Sequence, residues 1–254
     1  TDADVHFKEG VLKKAIAVAM HDKLDHFALL PEIEATGFWQ EMFVATFAFT
    51  LLFAARLDKV ENPKSKAFAG IGAFNLVRRE AFERTEGFPW LRMEIADDFG
   101  VGLLLKRHGG RMKLALANEE MSIRWYESLR EMVRGLEKNT FSVIGRFSYL
   151  RGIAFLVGWS ALLLGPWIGL FYPITSVRIV AVVAFFVTFS VLAIMAKLLS
   201  RRMLPILMVP VVGQWIGQFS LLRSMYHCWQ RGGVTWRGTT YPIEELRKNQ
   251  RVKI

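Results

Sequence analysis

The sequence predicts an α/β domain followed by an α-helical membrane region, and three observations carry that prediction. Strand-like and helix-like segments mix through residues 1–147. Three long stretches further on carry no charged side chain. The charge is also divided between the two halves of the chain.

The formal net charge of +10 suggests a nucleic-acid binder only when averaged. Residues 1–137 hold 19 basic and 21 acidic residues, whereas residues 138–254 hold 14 basic and 2 acidic. A basic excess confined to the apolar half points to anionic lipid headgroups, so no nucleic-acid partner is expected.

The uncharged stretches are residues 152–177, 179–196 and 203–222. A bilayer core takes about 20 apolar residues as a helix, so the first two are expected to span. Their late position excludes a signal peptide. The third contains Pro205, Pro210, Gly213, Gln214, Gly217 and Gln218, which predicts either a kinked span or a broken, re-entrant segment. Arg124, Arg130, Arg134, Lys138, Arg146 and Arg151 precede the first span, and Lys197, Arg201 and Arg202 follow the second. The positive-inside rule then makes a hairpin with cytoplasmic ends. The basic end, including Arg237, reads as a cytoplasmic tail, giving regions 1–147, 148–225 and 226–254. The single cysteine, Cys228, permits neither an internal disulfide nor a CxxC metal site.

Within the first region, residues 9–20 put Leu12, Ala15, Ile16 and Ala19 on one helical face. HFALLPEIE reads as a strand stopping at Pro31, and residues 38–57 as a helix too short to span. That helix either lies at a membrane interface or belongs to the soluble core. Residues 67–88 read as a Gly-rich loop, a short strand and a helix from Arg79; residues 95–111 as a helix capped by paired carboxylates and ended at Gly109-Gly110. RMKLALA reads as a strand and residues 122–141 as an amphipathic helix.

Chemistry concentrates at three places. Asp2 and Asp4, two apart in an extended segment, lean to one side and can converge on a hard cation such as Mg2+ or Mn2+; alone they are equally a solvated acidic segment. Asp97-Asp98 is either a helix cap or the source of a general base. Arg124-Trp125-Tyr126, with Arg130, Arg134 and Lys138, either faces anionic lipid or stabilises a leaving diphosphate beside an acceptor pocket.

The stretches TDADVHF, GIGAFNLVRREAFERTEGF, ADDFGVGLLLKRHGGR, IRWYESLREMVRGLEKNTF and GGVTWRGTTYP, in that order, resemble the membrane-bound family 2 glycosyltransferases. The branch most similar is that of ceramide glucosyltransferase and the bacterial hopanoid and carotenoid glycosyltransferases. The resemblance implies a partial GT-A fold and inverting transfer of a sugar from a nucleotide-sugar donor to a lipid acceptor. It implies an integral protein of a bacterial inner membrane with a cytoplasmic catalytic domain. The family's DxD falls on Asp2 and Asp4, and its Glu-Asp pair on Asp97 and Asp98, with Asp98 as base. Its acceptor-side loop falls on Gly70, Gly72 and Asn75. Its Q/R-x-x-R-W motif keeps Arg124 and Trp125 but has Met121 first, so Arg130 or Lys138 is expected to make the diphosphate contact instead. In that family a nucleotide-binding half of about 100 residues precedes the DxD. The chain is therefore expected to be the C-terminal part of an enzyme, inactive alone. A processive polysaccharide synthase of the same superfamily and a non-catalytic membrane-anchored binding domain are the alternatives.

Overall fold

The computed structural model describes residues 1–199, 201–236 and 238–253; Arg237 of the basic end lies outside the described residues. It is a mixed α/β structure with a curled four-stranded sheet and a set of apolar helices. Strands β1 (Val5–Phe7), β2 (His26–Ile33), β3 (Asn75–Val77) and β4 (Met112–Ile123) lie in the order β1-β4-β2-β3. β4 runs parallel to β2, and the two edge strands are antiparallel to their neighbours.

β2 does not stop at Pro31. It continues through a register shift between Pro31 and Glu32, which leaves residues 118–121 without partners in β2. Proline lacks the N–H of a regular ladder, and an irregularity is where a sheet tolerates it. The shift lets the far end of β4 curl toward β1, where Met121 pairs with Phe7.

Helix α1 (Val11–His21) covers one face of the sheet. Val11 and Ala15 are buried with Phe27, Leu29, Phe74 and Met121, and Ala19 packs beside them. Leu12 and Ile16, expected on the buried face, are exposed; the small Ala15 and Ala19 bring the helix close to the strands instead. The other face is covered by α4 (Asp97–Arg107) through Phe99, joined by Phe68 and by Val252 from the far end of the chain. α3 (Arg79–Glu83) follows β3 as the sequence suggests.

Helix α2 (Phe38–Ala55) departs from its expectation. It is one of three helices long and apolar enough to cross a membrane, with α7 (Tyr149–Leu170) and α8 (Thr175–Leu198). Its Met42, Ala45 and Phe49 share a core with Leu163 of α7, Leu192 and Ala196 of α8, and Ile206 of α9 (Met203–Leu207). Eighteen residues rich in Phe, with a small-residue seam, suffice for that role. α7 and α8 form the expected antiparallel pair: Gly169 lies against Ala181, and Trp167 packs edge-on against Phe185 at 4.5 Å.

The third uncharged stretch is broken, consistent with its prolines: α9 gives way to a π-helical turn (Val209–Gly213) and then to α10 (Gln214–Arg231). Residues 122–141 are not one helix. β4 runs to Ile123, a loop follows, and short helices α5 (Leu129–Gly135) and α6 (Glu137–Thr140) come after it. The basic end is built as a hairpin, β5 (Gly233–Trp236) and β6 (Thr239–Pro242), and helix α11 (Ile243–Asn249). It docks back on the body: the N–H groups of Arg251 and Val252 donate to the Glu94 carboxylate at 2.6 and 2.9 Å.

Candidate functional site

The site is built on the loop that enters β3. Asn75, the first residue of β3, holds that loop with one side-chain oxygen. Its Oδ1 accepts from the Ile71 N–H at 3.1 Å and from Nε2 of His26 on β2 at 2.9 Å. His26 is 1 % exposed, and burial pulls its imidazole down to about 4, although the Asn75 bond favours the charged form. A neutral ring carrying its proton on Nε2 is therefore the species that fixes Asn75.

Gly70 and Gly72 explain how closely α4 approaches this loop. A Cβ at Gly70 would overlap the main-chain carbonyl of Asp98, and one at Gly102 would overlap that of Ala69. The first turn of α4 thus lies directly on the loop backbone, which side chains would prevent. Two glycines inside a short helix cost about 1 kcal/mol each against alanine, and this contact accounts for Gly102.

Gly72 is held from two sides. Its N–H donates to Asp98 Oδ2 at 3.1 Å, and its carbonyl accepts from the Asp2 N–H at 3.0 Å. The point where its Cβ would stand is 2.8 Å from Asp2 Oδ2 and 3.6 Å from Asp98 Oδ2. Two carboxylates separated by 95 intervening residues therefore share one small space. Burial raises the Asp98 carboxyl to about 6, with smaller contributions from the charges of Asp97 and Asp2. The N–H groups of Phe99 and Gly72 oppose the rise by stabilising the charged form. Asp97 is exposed, and its Oδ1 accepts from the Asp98 N–H at 3.1 Å. The expected capping by paired carboxylates is corrected: the N-cap is Ala96, and both aspartates sit within the first turn of α4. Asp4 is exposed in the turn just before β1.

The remaining candidates form other groups. Arg124 follows the last residue of β4, paired with Glu34 at 3.5 Å and Glu127 at 3.9 Å. Ile123 is opposite Val5, so Arg124 emerges at the same end of the sheet as Asp4. Trp125 packs edge-on against Phe47 of α2 at 5.4 Å, joining the α/β part to the apolar helices. Met121 is buried in the sheet core and so serves packing rather than a diphosphate. Arg130 is exposed on α5, and the Lys138 ammonium of α6 lies 3.5 Å over the Trp236 ring.

Among the described residues no three His, Cys, Asp or Glu side chains converge to hold a metal ion. Asp2, beside the loop, and Asp4, in the turn before β1, instead offer hard, exposed carboxylate oxygens. That donor set fits Mg2+ or Mn2+ held by one or two carboxylates with phosphate and water in the other positions, not a protein cage. Sequence reasoning missed His26, Glu34 and Glu94. A histidine inside an apolar strand was the available sign of the first; the two glutamates gave none, because their partners are remote in sequence.

Comparison of the chain with protein-family models, with curated proteins and with solved structures gives no match.

Proposed function

We propose that the chain serves metal-assisted, inverting transfer of a sugar from a nucleotide-sugar donor to a membrane lipid hydroxyl, at the cytoplasmic side of the membrane. The observation that carries this reading is the meeting of Asp2 and Asp98 on either side of Gly72. An attacking alcohol needs a positioned carboxylate to accept its proton, and a departing diphosphate needs cations near its growing charge. Asp98 takes the proton as the acceptor oxygen bonds to the anomeric carbon. The bond from that carbon to the diphosphate breaks, and its electron pair leaves with the diphosphate. When bound, Mg2+ or Mn2+ supplies positive charge to the donor diphosphate, and Asp2 with Asp4 would hold it. In this reading Arg124, with Arg130 or Lys138, supplies charge to the departing diphosphate, and Gly70, Gly72, Asn75 and Trp125 serve the acceptor side. The three apolar helices supply the lipid setting that such an acceptor requires.

The test is Asp98→Asn in the complete protein, reconstituted with lipid and assayed for sugar transfer to lipid. The amide oxygen can accept from only one of the two N–H groups, Gly72 and Phe99, that bond the carboxylate, and it cannot take the acceptor's proton. Transfer should fall by about 100- to 10,000-fold while the protein stays folded, the one N–H that loses its acceptor costing about 1–3 kcal/mol of stability. Full transfer by a folded Asp98→Asn protein overturns the assignment.

A further inference from the structure

Between α2, α7 and α10 lies a cavity of about 60 Å³ with an unusual lining. Its walls are aromatic: Phe43 and Phe47 from α2, Phe155 and Trp159 from α7, the latter pair stacked at 5.5 Å. Its polar groups are neutral. Both amide atoms of Gln214, the amide nitrogen of Gln218 and the hydroxyl of Ser220 are buried with no hydrogen-bond partner among the described residues. Gln214 and Ser220 are each only 1 % exposed. The lining threonines are different: Thr46, Thr50 and Thr140 each donate to a carbonyl one turn back on their own helix. Among the described residues, no Asp, Glu, Lys, Arg or His side chain lines the space.

An amide held unpaired in an apolar bundle is costly, and buried polar groups without partners call for an explanation. Here the unpaired set contains donors and acceptors but no charge, and it faces aromatic walls. A fitting ligand brings hydrogen-bonding groups of both kinds, no ionic group and an apolar body. We infer that this cavity binds the hydroxyl- or amide-bearing head of an uncharged lipid. The space is large enough for several heavy atoms of such a head, and the absence of a charged group among the described lining residues disfavours a phosphate diester. Phe155 and Trp159 belong to one of the apolar helices, so the chain of such a lipid can lie against the same bundle. The inference does not require sugar transfer: the cavity binds whether or not Asp98 acts on the occupant.

The experiment uses the complete protein in lipid nanodiscs and a monoacylglycerol carrying a diazirine beside its glycerol head, with labelled residues mapped by peptide mass spectrometry. Labelling should fall on the cavity walls. It should be displaced by 1-oleoylglycerol and N-oleoylethanolamine but not by ionised oleate or hexadecane at equal concentration. Gln214→Leu should reduce cavity labelling by about tenfold without lowering the thermal midpoint, because leucine removes an unpaired amide while keeping its bulk. Asp98→Asn should label like the parent, which separates this result from the fate of the catalytic reading. If Gln214→Leu does not fold, Ser220→Ala decides, with a several-fold loss supporting the site and unchanged labelling overturning it. Displacement by oleate as effective as by 1-oleoylglycerol, or labelling insensitive to a folded Gln214→Leu, also overturns it.

Discussion

Replacing Gly72 by alanine separates the site from the fold. The new Cβ would stand 2.8 Å from Asp2 Oδ2, and ordinary contact requires about 3.5 Å. The carboxylate must therefore retreat by roughly 0.7 Å. It can, because it is the free end of an exposed side chain. Gly72 does not occupy the left-handed backbone region, so alanine adopts its conformation, and the stiffened unfolded chain contributes about 0.4–1 kcal/mol toward stability. Misplacement of about 1 Å costs on the order of 100-fold in rate, so transfer should fall by about tenfold or more with the thermal midpoint nearly unchanged. Gly70→Ala is the contrast. Its Cβ meets the main-chain carbonyl of Asp98, which no rotamer relieves, so α4 must lift from the loop at a cost of about 1–3 kcal/mol. Each kcal/mol lowers the midpoint by about 2–4 °C in a domain of this size. The assays are the thermal midpoint in detergent by intrinsic fluorescence and kcat/KM for sugar transfer by the complete protein. The reasoning is refuted if Gly72→Ala lowers the midpoint as much as Gly70→Ala, or if it leaves transfer untouched.

Other expectations follow from the same contacts. The His26 pKa is lowered from 6.5 to about 4, so the unfolded chain takes up the proton first as pH falls. The His26 contribution to stability should be complete above about pH 6.5 and decline toward pH 4 by about 3 kcal/mol, while Asp98, raised from 3.8 to about 6, gives an opposite trend over the same range; a His26→Gln protein with the same pH dependence of unfolding as the parent would exclude the His26 contribution. Chelation with EDTA should abolish sugar transfer, and Mg2+ or Mn2+ should restore it, with Asp2→Asn needing more metal for half-maximal rate; transfer that persists in EDTA would remove the cation from the scheme. Gly213→Ala would drive a Cβ into Thr46 Oγ1 and should lower the midpoint. Adding Thr46→Ala should recover much of that loss and adding Thr46→Ser should not, a coupling of about 0.5–3 kcal/mol readable in a double-mutant cycle.

Several elements were legible because their causes are local. The uncharged runs at 152–177 and 179–196 became α7 and α8, since length and apolarity alone make a helix suited to lipid. The glycines at 109 and 110 ended α4 where expected, with the Gly110 N–H returning to the Leu105 carbonyl at 2.9 Å. The same local cues misread residues 118–123. The strand expected to end with RMKLALA runs on to Ile123, where a helix was expected to have begun, because β1 supplies a second partner at residues 121–123. Pro31 misled for the same reason, since the register shift that accommodates it belongs to a pair of strands. The place of α2 was also hidden: an 18-residue apolar helix reads equally as soluble core or interface until its neighbours are known.

The sequence by itself determined which side chains could do chemistry and which segments must avoid water, because residue type and apolar run length are properties of the chain alone. Only the tertiary structure decided that Asp2 and Asp98 meet. That meeting depends on a loop backbone bonded to both of them at Gly72 and on glycines that let α4 lie against it. Contacts between such distant residues are paid for by the packing of the whole sheet, and no local pattern encodes them.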